Sequence, residues 1–270
     1  MMKIIQITDT HLVPPPELLY GPDPTARLKQ ILDHVLDRHG DADLLVITGD
    51  LSNNGDPRAY EALRNMLKGF PLPVRLLLGN HDLRGSFRDA FPEQPVDPAG
   101  FVQSVLDTPD GGFRLLFLDT LSEGEIGGRY CETRADWLRD RLTEVPEMPV
   151  CVFLHHPPVP HGMAHFDHIG FHDQERLMTV LRAHPGGVRH IAFGHIHIPL
   201  NGVTADGIGY HSGRGSTHQL LQLFENPTPG WVDGPLNYDI IRVGADGVSV
   251  HGVDTIAATP IAPVRFCPGP

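Results

Sequence analysis

Five short apolar runs in this sequence share one feature: each ends in polar residues of types that bind metal ions. Runs of roughly four to eight residues rich in Ile, Leu and Val are typical of buried β-strands. The polar clusters that end them are Asp9/His11, Asp50, Asn80/His81/Asp82, His155/His156 and His195/His197. Ligands in α/β proteins gather beyond the carboxyl ends of strands. The pattern therefore predicts a fold that brings these five strand ends together.

The first 82 residues predict an alternation of strands and helices. Strands are predicted at residues 4–8, 44–48 and 74–78. Helices are predicted to begin at Asp23-Pro24 and Asp56-Pro57, where an Asp side chain caps the helix and proline occupies its first turn. Gly79 is predicted to let the backbone turn sharply after the third strand. Alternating strands and helices favour right-handed crossovers and mainly parallel pairing.

The middle of the chain continues this pattern after a proline-containing, loop-rich stretch at residues 84–112. Further strands are predicted at residues 114–119, 150–154 and 190–193. Helices are predicted to begin at a Thr133 cap, with Trp137, Leu138 and Leu142 inward, and at Asp173, with Leu177, Val180 and Leu181 inward.

From about residue 200, short segments separated by glycine predict antiparallel strands, with a hairpin turn at Ala245-Asp246-Gly247. We predict one domain over residues 1–255 and a proline-rich tail over residues 256–270. The apolar tail residues Ile261, Val264 and Phe266 are poor neighbours for solvent. We expect the tail to dock on the domain or on a second subunit, giving a homodimer or a larger homo-oligomer.

A net charge of −12 argues against a nucleic-acid polymer or an anionic membrane as partner. It leaves room for a small anionic substrate, because bound cations can reverse the local sign. The three cysteines form no Cys-x-x-Cys pair, which argues against a disulfide framework or a zinc ribbon. The first apolar run is too short for a signal-peptide core, and no run approaches the ~20 residues of a membrane span. These features predict a cytoplasmic location.

Asp, His and Asn without Cys suit divalent Mn, Fe, Co or Zn. Seven candidate ligands exceed the needs of one four-coordinate site and suit two metal ions that share a carboxylate. Such a pair is a common device for in-line displacement at phosphorus.

The order and spacing of the five motifs resemble the calcineurin-like metallophosphoesterases, over residue 3 to about residue 218. The resemblance implies an α/β fold, a four-layer α/β/β/α sandwich of two mixed β-sheets. The Asp-Thr-His, Asn-His-Asp and His-His-Pro-Pro motifs further resemble bacterial cyclic-nucleotide phosphodiesterases and glycerophosphodiesterases.

Carried over by motif, the resemblance implies two sites bridged by Asp50. The ligands of metal 1 would be Asp9, His11, Asp50 and His197, and those of metal 2 would be Asp50, Asn80, His155 and His195. Of the His-His pair, His155 is preferred because it lies directly at the strand end. His81 and Asn80 are the expected catalytic residues, with His81 facing the phosphorus. Asn53, His81 and His218 are the expected substrate-binding residues, whereas Asp82 and His156 have no settled role.

The function predicted is hydrolysis of small phosphodiesters, such as cyclic AMP or glycerophosphodiesters, by in-line attack of a metal-bridging hydroxide. The alternative is a phosphomonoesterase or nucleotide pyrophosphohydrolase on the same site. Arg84 and Arg88 follow the Gly-Asn-His-Asp motif, but the motifs have no dense cluster of basic residues nearby. A monoester carries a second negative charge that such a cluster would offset, so the sequence favours diesters. A non-catalytic scaffold is disfavoured because every expected ligand is present, and an oxygenase-type site is disfavoured by Asn80 and the bridging Asp50. Loops 84–112, 157–172 and 211–235 are expected to choose the substrate.

Overall fold

The computed structural model describes residues 1–160, 162–163, 167, 169–222, 224 and 230–256. Within these residues the chain forms strands and helices that alternate over most of its length. In chain order they are β1 (Met2–Ile7), α1 (Pro24–His39), β2 (Leu44–Thr48), α2 (Pro57–Leu67), β3 (Val74–Leu77), α3 (Arg84–Ala90), β4 (Ser104–Asp107), β5 (Arg114–Phe117), α4 (Glu132–Thr143), β6 (Val150–Phe153), α5 (Gln174–Arg182), β7 (Val188–Phe193), β8 (Leu200–Val203), β9 (Gly209–Ser212), β10 (Gln219–Leu220), β11 (Trp231–Val232), β12 (Asn237–Gly244) and β13 (Gly247–Asp254).

The strands form two large mixed sheets. The first has the order β13-β12-β1-β2-β3, in which β1, β2 and β3 run parallel and β12 is antiparallel to β1. The second has the order β4-β5-β6-β7-β9-β8, with β5, β6, β7 and β9 parallel and β4 and β8 antiparallel at its edges. Strands β10 and β11 make a separate small hairpin.

Alternating side chains of each strand bury opposite faces of its sheet. In β1, Ile4 packs between the two sheets with Phe117 and Phe153 of the second sheet. Its neighbour Ile5 faces outward and packs with Ile31 of α1. Helices α1, α2 and α3 cover this outer face, and α4 and α5 cover the outer face of the second sheet. The predicted four-layer α/β/β/α sandwich is confirmed.

Residues 84–112 are loop-rich, as predicted, and also contain the short elements α3 and β4. Two local predictions are wrong. Thr133 is not a cap: α4 begins at Glu132, and the Cys131 before it makes no side-chain capping bond. Strand β9 pairs parallel with β7, so the region after residue 200 is not wholly antiparallel.

The hairpin predicted at residues 245–247 is present between β12 and β13, where Gly244 pairs with Gly247. Residues 257–270 lie outside the described residues, so the division at residue 255 and the docking of the tail stay predictions. Over the described part of the chain, no helix is long and apolar enough to cross a membrane.

Candidate metal centre

Both sheets deliver polar side chains to the same point. Asp9 and Asp50 follow the adjacent parallel strands β1 and β2, and His155 and His197 follow β6 and β7 of the facing sheet. One ligand atom from each of Asp9, His11, Asp50 and His197 lies within 4.8 Å of the others, and all four residues are buried. The convergence expected from the strand-end pattern is therefore present in the fold.

Three imidazoles are oriented by a hydrogen bond from Nδ1 to an oxygen that only accepts. They are His11, His155 and His197, whose Nδ1 atoms lie 3.2 Å from Asn53 Oδ1, 2.8 Å from Thr48 O and 2.8 Å from His218 O, respectively. Because Nδ1 must carry the proton in each bond, the neutral ring keeps its lone pair on Nε2. This is the tautomer that metal-ligating histidines adopt.

These Nε2 atoms face carboxylates. Oδ2 of Asp50 lies 3.3 Å from Nε2 of His11 and 3.4 Å from Nε2 of His155. Nε2 of His197 lies 3.4 Å from Oδ1 of Asp9 and 3.1 Å from Nε2 of His11. Ring nitrogens that face carboxylate oxygens in a buried site need positive charge between them, either a proton on Nε2 or a cation. The donor set therefore fits divalent cations.

Charge at the centre is concentrated on Asp50. Burial raises the pKa of this carboxyl, but the imidazoles of His155 and His11 outweigh burial and hold the pKa well below its usual range. Burial lowers the pKa of His155, yet Asp50 and Asp9 together raise it to about 9. The pKa of His11 is lowered well below its usual value by burial, despite the opposing effect of Asp50. Asp50 is thus the fixed negative charge around which the histidines gather.

On the other side of Asp50, two further predicted ligands touch each other. Nδ1 of His195 lies 3.0 Å from Oδ1 of Asn80. The backbone N–H of His195 also donates to Oδ1 of Asp9 at 3.1 Å, and Thr8 Oγ1 donates to Oδ2 of Asp9 at 2.8 Å. These bonds link the last motif to the first and fix the Asp9 carboxylate.

The backbone is strained at these positions. Among the described non-glycine residues, six have positive φ: Asp9 (53°), His11 (40°), Tyr20 (52°), Asp50 (49°), His195 (73°) and His197 (52°). Such conformations cost about 1–3 kcal/mol each and concentrate at functional sites. Five of the six are predicted metal ligands, and the sixth is Tyr20.

The backbone turns after Gly79, as predicted, with the N–H of Asp82 donating to the Gly79 carbonyl at 3.2 Å, and the missing side chain of Gly79 provides space. Its φ lies outside the left-handed region. A Cβ atom there would lie 2.5 Å from the backbone N of Asp50 and 2.6 Å from Nε2 of His155. Two predicted ligands thus pack directly against the bare backbone of Gly79.

His156 differs from its neighbour His155. Its Nε2 lies 3.1 Å from the backbone O of Ile126, and its Nδ1 lies 2.8 Å from Oγ1 of Thr120. Nε2–H must donate to the carbonyl, so Nδ1 accepts from the Thr120 hydroxyl. Both ring nitrogens are engaged in these bonds, which leaves His155 as the member of the pair that faces Asp50.

His81 lies at the mouth of the site and is exposed. Its backbone N–H donates to Oδ1 of Asp50 at 2.9 Å, and its Nδ1–H donates to the backbone O of Asn53 at 2.8 Å. Asn53 therefore orients both His81 and His11, in addition to lining the site. His218 orients His197 through its carbonyl, and its ring lies 4.5 Å from the His197 ring.

These residues line one cavity that opens to solvent and has a volume of about 120 Å³. Its lining is His11, Tyr20, Asp50, Asn53, Asn80, His81, Ile126, Ile169, His195, His197, His218 and Trp231. Asp9 and His155 lie behind this lining.

Asp82 has a role that sequence reasoning missed. Its buried carboxylate accepts hydrogen bonds from the backbone N–H groups of Leu51, Ser52 and Gly79 at 2.9–3.1 Å and from the Tyr60 hydroxyl at 2.9 Å. It thereby ties the loop after β2 to the loop after β3, which carry Asp50 and Asn80. No local sequence signal could have shown this, because three of the four donors are backbone groups and three of the four lie more than 20 residues away.

Comparisons with known proteins agree with this geometry. The sequence profile of the family described as calcineurin-like phosphoesterase matches residues 2–199. A probable cyclic nucleotide phosphodiesterase of Rhodopseudomonas palustris is 34% identical over 256 residues, covering 93% of this chain and 91% of the relative. A glycerophosphodiester phosphodiesterase of Enterobacter lignolyticus is 31% identical over 201 residues, covering 73% and 71%. Among solved structures, a dimetal phosphatase from Danio rerio superposes with a TM-score of 0.72 at 17% identity, covering 94% of this chain and 96% of that one.

Proposed function

Because the chain belongs to the calcineurin-like phosphoesterase family, we propose that it is a dinuclear metal-dependent phosphodiesterase of small phosphodiesters. Cyclic 3′,5′-nucleotides and glycerophosphodiesters are the substrate classes in view, since both occur in the names of its relatives. The observation that carries the proposal is the inward Nε2 of three buried histidines, each held by a hydrogen bond at Nδ1.

In this proposal Asp50 would belong to the ligand sets of two cations. Its Oδ2 has His11 on one side and His155 on the other, at nearly equal distances. Metal 1 would be held by Asp9, His11, Asp50 and His197, and metal 2 by Asp50, Asn80, His155 and His195. Bound there, two Mn, Fe, Co or Zn ions would polarise a phosphoryl oxygen and acidify water.

His81 is proposed to serve the leaving oxygen. Its Nδ1–H is committed to the carbonyl of Asn53, so Nε2 is the atom that exchanges a proton with the ester oxygen. Because its backbone N–H is bonded to Asp50, the ring is held at a fixed distance from the bridging carboxylate. Asn80 directly precedes His81 in the chain. Its side-chain oxygen would be a neutral ligand close to the phosphoryl group.

The charge of the cavity favours diesters over monoesters. Among the described residues that line it, none is Arg or Lys. Arg84, the basic residue near the motif, is held by bonds of 2.9 and 3.0 Å to the buried Asp119 carboxylate. A monoester carries a second negative charge that these side chains do not offset.

A hydrolysis panel on metal-reconstituted protein tests the proposal. The substrates are bis(4-nitrophenyl) phosphate, 4-nitrophenyl phosphate, cyclic AMP and glycerophosphocholine. Asp50→Asn is the inactive reference, and Asp136→Asn, at an exposed residue of α4, is the control. We expect the wild type and Asp136→Asn to hydrolyse at least one diester faster than the monoester. Monoester hydrolysis exceeding that of every diester would replace the proposal with the phosphomonoesterase alternative.

Assembly and location also belong to the proposal. We propose a cytoplasmic homodimer or larger assembly in which the proline-rich tail contributes to subunit contacts. Sedimentation of the full chain as a monomer at micromolar concentration would contradict the assembly.

A further inference from the structure

One wall of the cavity is aromatic. The rings of Tyr20 and Trp231 are nearly parallel, with an interplanar angle of 18° and centroids 5.9 Å apart. Both are unusually accessible for large aromatic side chains, at 64% for Tyr20 and 43% for Trp231. Exposed apolar rings at the rim of a polar cavity indicate a surface that meets a ligand.

This wall stands directly beside the first proposed metal site. The Trp231 ring lies 5.2 Å from that of His197 and 4.5 Å from that of His218. The Tyr20 ring lies 5.0 Å from that of His218. A group attached to a phosphoryl unit at the centre would therefore reach the two aromatic rings.

Both rings are held in place by the fold. Arg27 of α1 donates to Asp233 Oδ1 at 2.5 Å and to the backbone O of Gly234 at 2.6 Å, which fastens the segment that follows Trp231. Tyr20 lies in a turn closed by the bond from Leu19 N to Pro22 O at 2.9 Å, and its φ of 52° is strained for an aromatic residue. Tyr20 contacts the rings of His218 and Trp231 and yet stays largely exposed, so a ligand contact would account for its strained position.

The cavity lining also has an aliphatic part. Ile126 and Ile169 belong to it, and the Ile126 carbonyl accepts a hydrogen bond from Nε2 of His156. The cavity thus offers aromatic and aliphatic surface to the organic part of a diester.

We propose that Tyr20 and Trp231 select phosphodiesters that carry a planar group, a nucleobase or an aryl ring, stacked on this wall. The inference rests on the proposed function and narrows it: cyclic nucleotides are preferred to glycerophosphodiesters. Stacking on aromatic side chains is tolerant of base identity, so adenine and guanine nucleotides are accepted alike.

Steady-state kinetics on the manganese-loaded chain test this selectivity. Tyr20→Ala and Trp231→Ala each raise KM for cyclic AMP about tenfold, the effect of losing one base stack. They leave kcat/KM for glycerophosphoglycerol, which has neither a planar group nor a cation, within about twofold, and Trp231→Phe restores most of the loss. Leu18→Ala and Val232→Ala serve as matched controls, because both residues are exposed and lie outside the cavity lining. These variants should leave KM and kcat/KM for both substrates unchanged.

Equal losses on cyclic AMP and glycerophosphoglycerol, or faster turnover of glycerophosphoglycerol than of cyclic AMP by the wild type, would overturn the selectivity. If the two control variants lose as much activity on cyclic AMP as Tyr20→Ala and Trp231→Ala, this face is a subunit contact. That result would also overturn the proposed selectivity. Absence of any diester hydrolysis by the wild type would instead reject the proposed function.

A binding measurement separates stacking from turnover. Trp137 and Trp231 are the two tryptophans of the chain, so Trp137→Phe leaves Trp231 as the reporter. Adenosine 5′-monophosphate should quench its fluorescence, whereas glycerol 3-phosphate should not. Equal responses to both ligands, or none to the nucleotide, would contradict stacking on Trp231.

Discussion

The hydroxyl of Tyr60 donates a hydrogen bond of 2.9 Å to the buried carboxylate of Asp82, 22 residues further along the chain. The same carboxylate collects three backbone N–H groups from the loops that carry Asp50 and Asn80. Helix α2, through Tyr60, is thereby joined to both loops. The geometry of the proposed metal centre depends on this contact although neither residue faces the cavity.

Removal of the Asp82 carboxylate should therefore cost more than removal of the tyrosine hydroxyl. Asp82→Ala leaves four donors without their acceptor, and we expect a loss of about 3 kcal/mol in the free energy of unfolding. Tyr60→Phe removes one bond and should cost about 1 kcal/mol. Urea denaturation of the two variants checks the order. A smaller loss for Asp82→Ala than for Tyr60→Phe would show that the carboxylate does not hold the loops.

Gly79→Ala tests the tight packing behind the centre. The added methyl group would displace Asp50 or His155, and a displacement of about 1 Å at a reacting centre costs on the order of 100-fold in rate. Gly85→Ala is the matched control, because a Cβ atom at Gly85 meets nothing within 4 Å. Diesterase rate and bound metal should fall only in Gly79→Ala. If both variants behave like the wild type, the packing is looser than the structure indicates.

Substitution of His155 and substitution of its neighbour His156 should have different effects on the amount of bound metal. His155→Ala removes an inward Nε2 and should abolish one bound metal ion. His156→Gln should retain both ions and lose some stability, since the two ring nitrogens of His156 are hydrogen-bonded to Thr120 and to the Ile126 carbonyl. Elemental analysis of the purified variants gives the answer. Loss of metal from His156→Gln alone would reverse the assignment.

Stability of the metal-free chain should depend on pH through Asp239. Burial, reinforced by Asp254 and opposed by Arg214, raises the pKa of Asp239 to about 7, and the His211 ring lies 4.0 Å away. A carboxyl with a raised folded-state pKa holds its proton more firmly when folded. Its contribution is complete below about pH 4 and is lost as pH rises through 7, by up to about 4 kcal/mol.

Urea denaturation at pH 5 and pH 8 measures this contribution as the difference between the wild type and Asp239→Asn. We expect the wild type to lose more stability than the variant between the two pH values. An equal slope in both proteins would remove Asp239 as the cause.

The strand-end clusters could be predicted from sequence because each depends on local order: an apolar run, then a ligand. Strand β2 occupies the predicted residues 44–48, and α1 begins at the predicted Asp23-Pro24 cap. The contacts that support the site are not local. Asp82 meets Tyr60 across 22 residues, and Gly79 is explained only by the side chains of Asp50 and His155 beside it.

Strand pairing after residue 200 could not be predicted fully from the sequence either. Glycine-separated short segments are typical of antiparallel hairpins, and β12 with β13 follows that pattern. Strand β9 instead lies parallel to β7, because the chain crosses β8 first and returns to the sheet interior. Tyr20 and Trp231, 211 positions apart in the chain, meet only in the folded molecule.

We propose that two cations that share Asp50 as a ligand act together on a phosphodiester. Stepwise addition of Mn²⁺ to the metal-free chain, with bound metal and bis(4-nitrophenyl) phosphate hydrolysis followed in parallel, measures whether both cations are needed. We predict that activity rises with the second equivalent bound and that Asp50→Asn fails to gain it. Full activity at one equivalent per chain, or an active Asp50→Asn, would contradict the account.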